Sequence, residues 1–115
     1  MTLTVATCQF ATGADIGANR DQVLALMREA KARGADVAHF PEACLSGYAG
    51  ADIPSHEGLD WALLADTVRA VAALAGELAL WVVVGSAHRL TPPNKPHNSL
   101  YIISDQGRIV DRTLV

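Results

Sequence analysis

Glu42 occupies the position in this sequence where a side chain with a chemical role is most expected. It follows the strand-like run 36–40 (DVAHF) and Pro41 in the stretch FPEACLSGY, and Gly47 then opens a loop. Because proline removes a backbone donor and ends regular pairing, Glu42 is predicted to lie just past the carboxyl end of a strand. Ligand sites of open α/β sheets lie beyond those ends, and a carboxylate there can move protons. Position alone also leaves open a solvated loop glutamate or an ion-pair partner.

The other side chains of chemical interest lack the patterns of nucleophiles or metal ligands. Cys8 and Cys44 sit in apolar surroundings without CxxC spacing, so we expect packed core thiols and neither a zinc site nor a disulfide. Lys31 falls on the charged side of a helical pattern and Lys95 in a proline-rich loop, so both are expected in solvent. The histidines lack HxH or HxxxH spacing and the serines lack a GxSxG context, so we predict no metal site and no serine hydrolase.

Strand and helix patterns alternate along the chain. Apolar residues at helical spacing predict one helix over 19–33, stopped by Gly34, and a second that begins at Asp60 or Asp66. A β-α-β-α-β start implies parallel strands, and a closing hairpin across 105–107 makes the sheet mixed. The first strand is expected to be buried on much of both faces. The predicted strands cover 3–10, 36–40, 81–87, 98–104 and 107–115.

The composition favours one domain without nucleic-acid or membrane partners. The 115 residues are 50% hydrophobic and carry a net charge of −3, with the charges scattered. No basic stripe is present to follow phosphates, and the longest uncharged apolar run, 78–87, is too short to span a bilayer. The amino terminus lacks a basic region followed by a long apolar stretch, so we expect a cytoplasmic protein. No GxGxxG follows the first strand, which disfavours a Rossmann-like binding domain.

Several segments share a pattern that extends well beyond Glu42. FPE is followed by Cys44, Leu45, Gly47 and Tyr48. The later segments are an opening strand that ends in Gln9, a helix that ends in RGAD, the strand VVVGSA, the pair Asn98-Ser99 and the hairpin DQGRIVDRTLV. In type and order these segments resemble the first part of the nitrilase superfamily, the carbon-nitrogen hydrolases, and FPE resembles its glutamate motif. The resemblance covers essentially the whole chain, so residues 1–115 are interpreted as the amino-terminal portion of a single carbon-nitrogen hydrolase domain.

The resemblance implies an α/β fold, part of a four-layer α-β-β-α sandwich, and hydrolysis of a non-peptide carbon-nitrogen bond by a Glu-Lys-Cys triad. A cysteine thiolate attacks the amide or nitrile carbon, a lysine ammonium stabilises the developing charge, and a glutamate takes and returns protons. Only the glutamate role maps onto this chain, at Glu42. The family's lysine and cysteine positions fall after Val115, so the 115-residue chain alone is expected to be inactive. No cofactor is implied.

The resemblance also sets expectations for the surroundings of Glu42. Tyr48 is expected to help line the substrate pocket, although packing within the turn explains it equally well. The family's pairing of subunits through outer helices predicts a homodimer or a higher homo-oligomer. We expect apolar walls to desolvate the carboxylate, and these walls would come from Val37, Phe40, Leu45 and the run 82–84.

Two classes of function remain open. In the first, the chain is the amino-terminal part of an amidase or nitrilase that acts on an aliphatic amide, a carbamoylated amine, an ω-amidated acid or a nitrile. In the second, it is a non-catalytic truncated module that keeps the first half of the fold and binds a partner through an exposed sheet face. A coding sequence that continues past Val115 into a lysine motif and then a cysteine motif would separate the two classes.

Overall fold

The computed structural model describes residues 2–115, and in it five strands form one mixed sheet. The strands lie in the order β1-β2-β3-β4-β5, with β1, β2 and β3 parallel and with β4 and β5 added antiparallel. The predicted order of strands and helices is therefore confirmed. Along the chain the elements are β1 (Val5–Thr7), α1 (Ile16–Ala32), β2 (Val37–His39), α2 (Trp61–Leu78), β3 (Trp81–His88), β4 (His97–Ile103) and β5 (Ile109–Leu114).

Both helices begin at an aspartate that caps the first turn. The Asp15 carboxylate accepts a hydrogen bond from the Ala18 amide at 3.1 Å, and Asp60 accepts one from the Leu63 amide at 2.9 Å. Asp60, rather than Asp66, therefore starts α2. Gly34 follows α1 with φ of +86°, the left-handed conformation that ends helices. Within residues 2–115, neither helix combines the length and apolar content needed to cross a membrane.

Both helices cover the same face of the sheet. Ala38, Val82 and Ile103 are neighbours across β2, β3 and β4, and all three are fully buried. They belong to one core with residues of both helices, which include Val23, Met27, Val71 and Ala75. Because side chains alternate along a strand, the next row across the sheet must point the other way. We call the side under α1 and α2 the helical face and the opposite side the open face.

The open face exposes apolar side chains. Val5, Val37 and Trp81 form one row across it, and Val5 is 50% exposed while Trp81 is 39% exposed. The expectation that the first strand is buried on much of both faces is therefore wrong. The strand shortens to Val5–Thr7 at the edge of the sheet, and no layer formed by residues 2–115 covers its open side. An apolar run in sequence did not reveal that only one of its faces is covered.

The open face leads us to expect that the 115-residue chain associates with itself. Covering apolar surface is worth roughly 25 cal/mol per Å², and Val83 lies near the middle of this face. Val83→Lys should reduce association, because it places a charge within the contact. Ala73→Lys, which adds the same charge at an exposed position on α2, is the control. Light scattering measures the mass, and a monodisperse wild-type monomer without dye-accessible apolar surface would contradict the expectation.

Candidate active site

Glu42 lies just past the carboxyl end of β2, as its position after Pro41 predicted. The Phe40 amide donates to the Val83 carbonyl at 2.8 Å, so pairing with β3 continues one residue beyond β2. The Leu45 amide then donates to the Gly85 carbonyl at 3.0 Å. Glu42 therefore sits in a short turn that is held at both ends by the central strand of the sheet.

The turn at 41–43 lies so close to β3 that only glycine fits beneath it. A Cβ atom built on Gly85 would lie 2.5 Å from the Ala43 nitrogen and 2.5 Å from the Pro41 oxygen. Ala43 itself has φ of +56°, and an alanine in this left-handed region costs about 1–2 kcal/mol. Backbone strain of this kind accumulates where the surrounding structure fixes a functional group. The backbone next to Glu42 is thus held in a conformation that it would not adopt alone.

Two polar side chains fix the segment that follows Glu42. The buried Ser46 hydroxyl accepts a hydrogen bond from the Ala87 amide of β3 at 2.9 Å. The side chain of Asn19, only 2% exposed, donates to the Leu45 carbonyl at 3.1 Å and to the Gly13 carbonyl at 2.9 Å. Its oxygen accepts from the Gly13 amide at 3.0 Å. These bonds join the segment to β3, to α1 and to the loop that precedes α1.

The carboxylate of Glu42 is held by an amide and is not surrounded by apolar walls. Glu42 is exposed, and its Oε1 accepts a hydrogen bond from Nδ2 of Asn98 in β4. Phe40 and Leu45, which were expected to wall the carboxylate, are instead packed in the core. They are near Glu42 in sequence but contribute to the helical face, so the expectation of desolvation is wrong for this chain.

Asn98 was not assigned a role from the sequence, yet it connects Glu42 to a small cavity. The cavity has a volume of 140 Å³, and Tyr48 is among its lining residues. The Oδ1 atom of Asn98 is buried and has no hydrogen-bond partner within residues 2–115. A buried acceptor left unpaired costs roughly 1–3 kcal/mol. The lining consists of Ala43, Gly47, Tyr48, Ala49, His56 and Asn98.

Tyr48 lies in the turn that forms one wall of this cavity. Its side chain is 46% exposed, and its backbone amide donates to the Asp52 carboxylate at 2.8 Å. Its carbonyl accepts from the amides of Ala51 and Asp52 at 3.0 and 2.9 Å. The structure thus brings both predicted site residues to one place, because Asn98 bonds Glu42 and shares the cavity with Tyr48.

Neither cysteine resembles a nucleophile. Cys44 is fully buried, its Sγ contacts the Gly85 carbonyl at 3.6 Å, and burial raises the pKa of its thiol to about 12. Burial also raises the pKa of the Cys8 thiol. Since the thiolate is the reactive form, both cysteines are inert packing residues at neutral pH, as predicted. Among residues 2–115, no three histidine, cysteine or carboxylate side chains are grouped so that they could hold a metal ion.

A larger cavity lies on the helical face, away from Glu42. It has a volume of 410 Å³ between α2 and strands β3 and β4, and it is lined by His88, Tyr101 and Leu64 among others. His88 Nδ1 and the Tyr101 hydroxyl are 2.5 Å apart. Burial, together with Arg112, lowers the pKa of His88, and burial raises the pKa of Tyr101. Both shifts favour the neutral forms of the imidazole and the phenol.

Comparison with known proteins gives consistent likenesses over nearly the whole chain. Residues 4–113 match the family model described as carbon-nitrogen hydrolase. The chain is 30% identical over 99 residues to a glutamine-dependent NAD(+) synthetase from Rhodobacter capsulatus, which covers 86% of this chain and 17% of that protein. An amidase from Nesterenkonia sp. superposes with a TM-score of 0.83 at 16% identity, over 97% of this chain and 42% of the amidase.

Further amidase structures give similar values. The NitN amidase of strain AN1 superposes with a TM-score of 0.84 at 15% identity, over 98% of this chain and 44% of that one. Variants of the amidase of this strain have also been solved, one in complex with butyramide and one with the acetamide moiety of fluoroacetamide added at the active-site cysteine. The present chain therefore spans less than half the length of the amidases that it matches and about a sixth of the synthetase.

The close approach of β3 to the turn at 41–43 predicts that Gly85→Ala destabilises the protein. The added methyl group would overlap two backbone atoms, and overpacking of this kind costs about 1–3 kcal/mol. Gly13→Ala is the control, because no atom lies within 4 Å of a Cβ built there. Urea unfolding gives both values. Equal stability of the two variants would show that the turn moves away from β3 without cost.

The lowered pKa of His88 predicts a loss of stability in mild acid. The unfolded state, with an ordinary histidine pKa of about 6.5, binds a proton that the folded state resists. This contribution to stability is therefore present above pH of about 6.5 and is lost as the pH falls toward the lowered pKa of the folded protein. The melting temperature should fall less steeply with decreasing pH in His88→Gln than in the control variant His39→Gln. His39 is an exposed histidine on the open face. If the melting temperatures of the two variants fell in parallel with pH, His88 would not be the source of the loss of stability in acid.

Proposed function

We propose that this chain, which belongs to the carbon-nitrogen hydrolase family, supplies the general base of an enzyme that hydrolyses a primary amide. The family resemblance and the α/β fold class predicted from sequence are confirmed by the family match and by the amidase superpositions. The observation that carries the proposal is the position of Glu42. It stands at the carboxyl end of β2, bonded to Asn98 beside the cavity that Tyr48 lines. Tyr48 is proposed to contact the substrate there.

The proposed chemistry divides the proton transfers and the bond formation between different groups. A cysteine thiol gives its proton to Glu42 as the thiolate attacks the amide carbon, and a lysine ammonium stabilises the oxyanion that forms. Glu42 then returns the proton to the leaving nitrogen, so that ammonia departs and a thioester remains. Water attacks the thioester while Glu42 takes its proton, the tetrahedral intermediate expels the cysteine thiolate, and Glu42 returns the proton to that sulfur as the acid product leaves. Each step conserves protons within the site.

The nucleophile and the lysine are assigned to residues outside these 115. Cys8 and Cys44 are buried with raised pKa values, and Lys31 donates to the Ala79 carbonyl at the end of α2. The amidase that the chain resembles has an active-site cysteine, and this chain covers only 42% of such an amidase. Residues 1–115 are accordingly proposed to be the amino-terminal portion of one hydrolase domain in a cytoplasmic homo-oligomer. Without the rest of that domain the chain has no turnover.

A primary amide is the favoured substrate class. The names of the related proteins refer to an amidase, to butyramide and to dependence on glutamine, and both of these compounds carry a primary amide. A nitrile is the alternative within the same mechanism. The other class of function, a non-catalytic module that binds a partner, is favoured by the exposed apolar side chains of Val5 and Trp81 on the open face.

The proposal predicts that Glu42→Gln in the complete enzyme lowers kcat/KM for butyramide by about 10²–10⁴-fold, the usual contribution of a general base. The melting temperature should stay nearly unchanged, since surface substitutions usually change stability by less than about 0.5 kcal/mol. Release of ammonia measures the rate. Glu77→Gln, at an exposed position on α2, is the matched control.

Three outcomes would contradict the proposal. A Glu42→Gln enzyme within a few-fold of wild-type activity would remove Glu42 from the mechanism. Turnover by the 115-residue chain alone, lost on Glu42→Gln, would show that the other catalytic groups lie within it. A complete protein that lacks a lysine and a cysteine beyond these residues would favour the binding module.

A further inference from the structure

The carboxylate of Glu42 has a single hydrogen-bond donor within residues 2–115, and that donor is Asn98. Asn98 lies in β4, where it is directly opposite Ala87 of β3. It is 56 residues beyond Glu42 in sequence, so the contact depends on the register of the sheet. The amide group thus reaches Glu42 from a rigid element, whereas Glu42 itself lies in a turn.

We propose that Asn98 is a positioning residue, which holds Glu42 in the orientation needed for proton transfer. This inference rests on the proposed function of Glu42 as the general base. An ionised carboxylate only accepts hydrogen bonds, so the amide must direct its Nδ2 toward Glu42. The bond occupies Oε1 of Glu42. The other carboxylate oxygen is left to take and return the proton.

The unpaired oxygen of Asn98 argues against a purely structural role. Asparagine is depleted in strands, and an apolar side chain here would avoid burying an acceptor that no residue among 2–115 satisfies. The unpaired Oδ1 of Asn98 therefore lowers the stability of the folded protein, while its Nδ2 donates a hydrogen bond to Glu42. Local violations of packing rules of this kind are expected at functional sites. The bond to Glu42 is the contact that accounts for the amide.

Asn98 also forms part of the wall of the cavity next to Glu42. Asn98 lines the same 140 Å³ cavity as Tyr48 and His56, so one side chain borders both the carboxylate and the space next to it. A change in the orientation of Asn98 would turn the free oxygen of Glu42 relative to that space. Proton transfer requires distances of about 2.6–3.2 Å, so such a turn would slow the reaction without preventing binding.

A double-mutant cycle in the complete enzyme tests the inference. Asn98→Ala should lower kcat for butyramide about 10–100-fold and change KM by less than about 3-fold, because the ground-state contacts of the substrate remain. In the Glu42→Gln background, Asn98→Ala should have no further effect, since it acts through the missing carboxylate. The melting temperature of Asn98→Ala should equal or exceed that of the wild type. Asn94→Ala, in the exposed loop that precedes β4, is the matched control.

Each result supports or overturns a specific claim. If Glu42→Gln retains activity, the proposed general base is wrong. If Glu42→Gln is inactive but Asn98→Ala is active, or if the two effects multiply in the double variant, the positioning role alone is overturned. A loss of activity that follows a lowered melting temperature also overturns it. Asn98→Val, a strand-forming residue without a donor, replaces the alanine variant if that variant does not fold.

Discussion

The contact between Gly85 and the turn at 41–43 is the constraint on which the candidate site depends. The two backbones approach so closely that a side chain at position 85 would overlap Pro41 and Ala43. This approach lets the amides of Phe40 and Leu45 bond to β3 on either side of the turn. The turn that carries Glu42 is therefore positioned by main-chain contacts on both sides.

A change of strand direction brings the partner of Glu42 to the same edge of the sheet. Strands β2 and β3 are parallel, so their carboxyl ends lie together. Strand β4 runs the other way, and its first residues therefore lie beside the last residues of β3, with Asn98 opposite Ala87. Glu42 follows the end of β2, and Asn98 lies near the beginning of β4, so the two residues are at the same edge of the sheet. A fully parallel sheet would place that asparagine at the far edge.

The sequence predicted local features better than contacts across the sheet. Gly34 was readable as the end of α1, and Asp60 was one of two candidates for the start of α2, because capping depends on a few adjacent residues. Pro41 likewise placed Glu42 just past a strand, because a proline ends regular pairing through its own missing amide donor. The bond to Asn98 was not predictable, because it requires the register of β4 against β3. The expected apolar walls failed because residues near Glu42 in sequence, such as Phe40, point to the helical face.

The candidate site and the exposed apolar surface lie on the same side of the sheet. Side chains alternate along β3, so Val82 and Val84 belong to the sealed core while Gly85 faces the turn that carries Glu42. Asn98, which bonds that carboxylate, lies opposite Ala87 on the open face, whereas α1 and α2 cover the helical face. Trp81 and Val83 make that face apolar, so covering it is favourable in its own right. Under the proposed function, the layer that buries these side chains is also the one that carries the thiol and the ammonium group, so that burial of the open face and assembly of the site occur together.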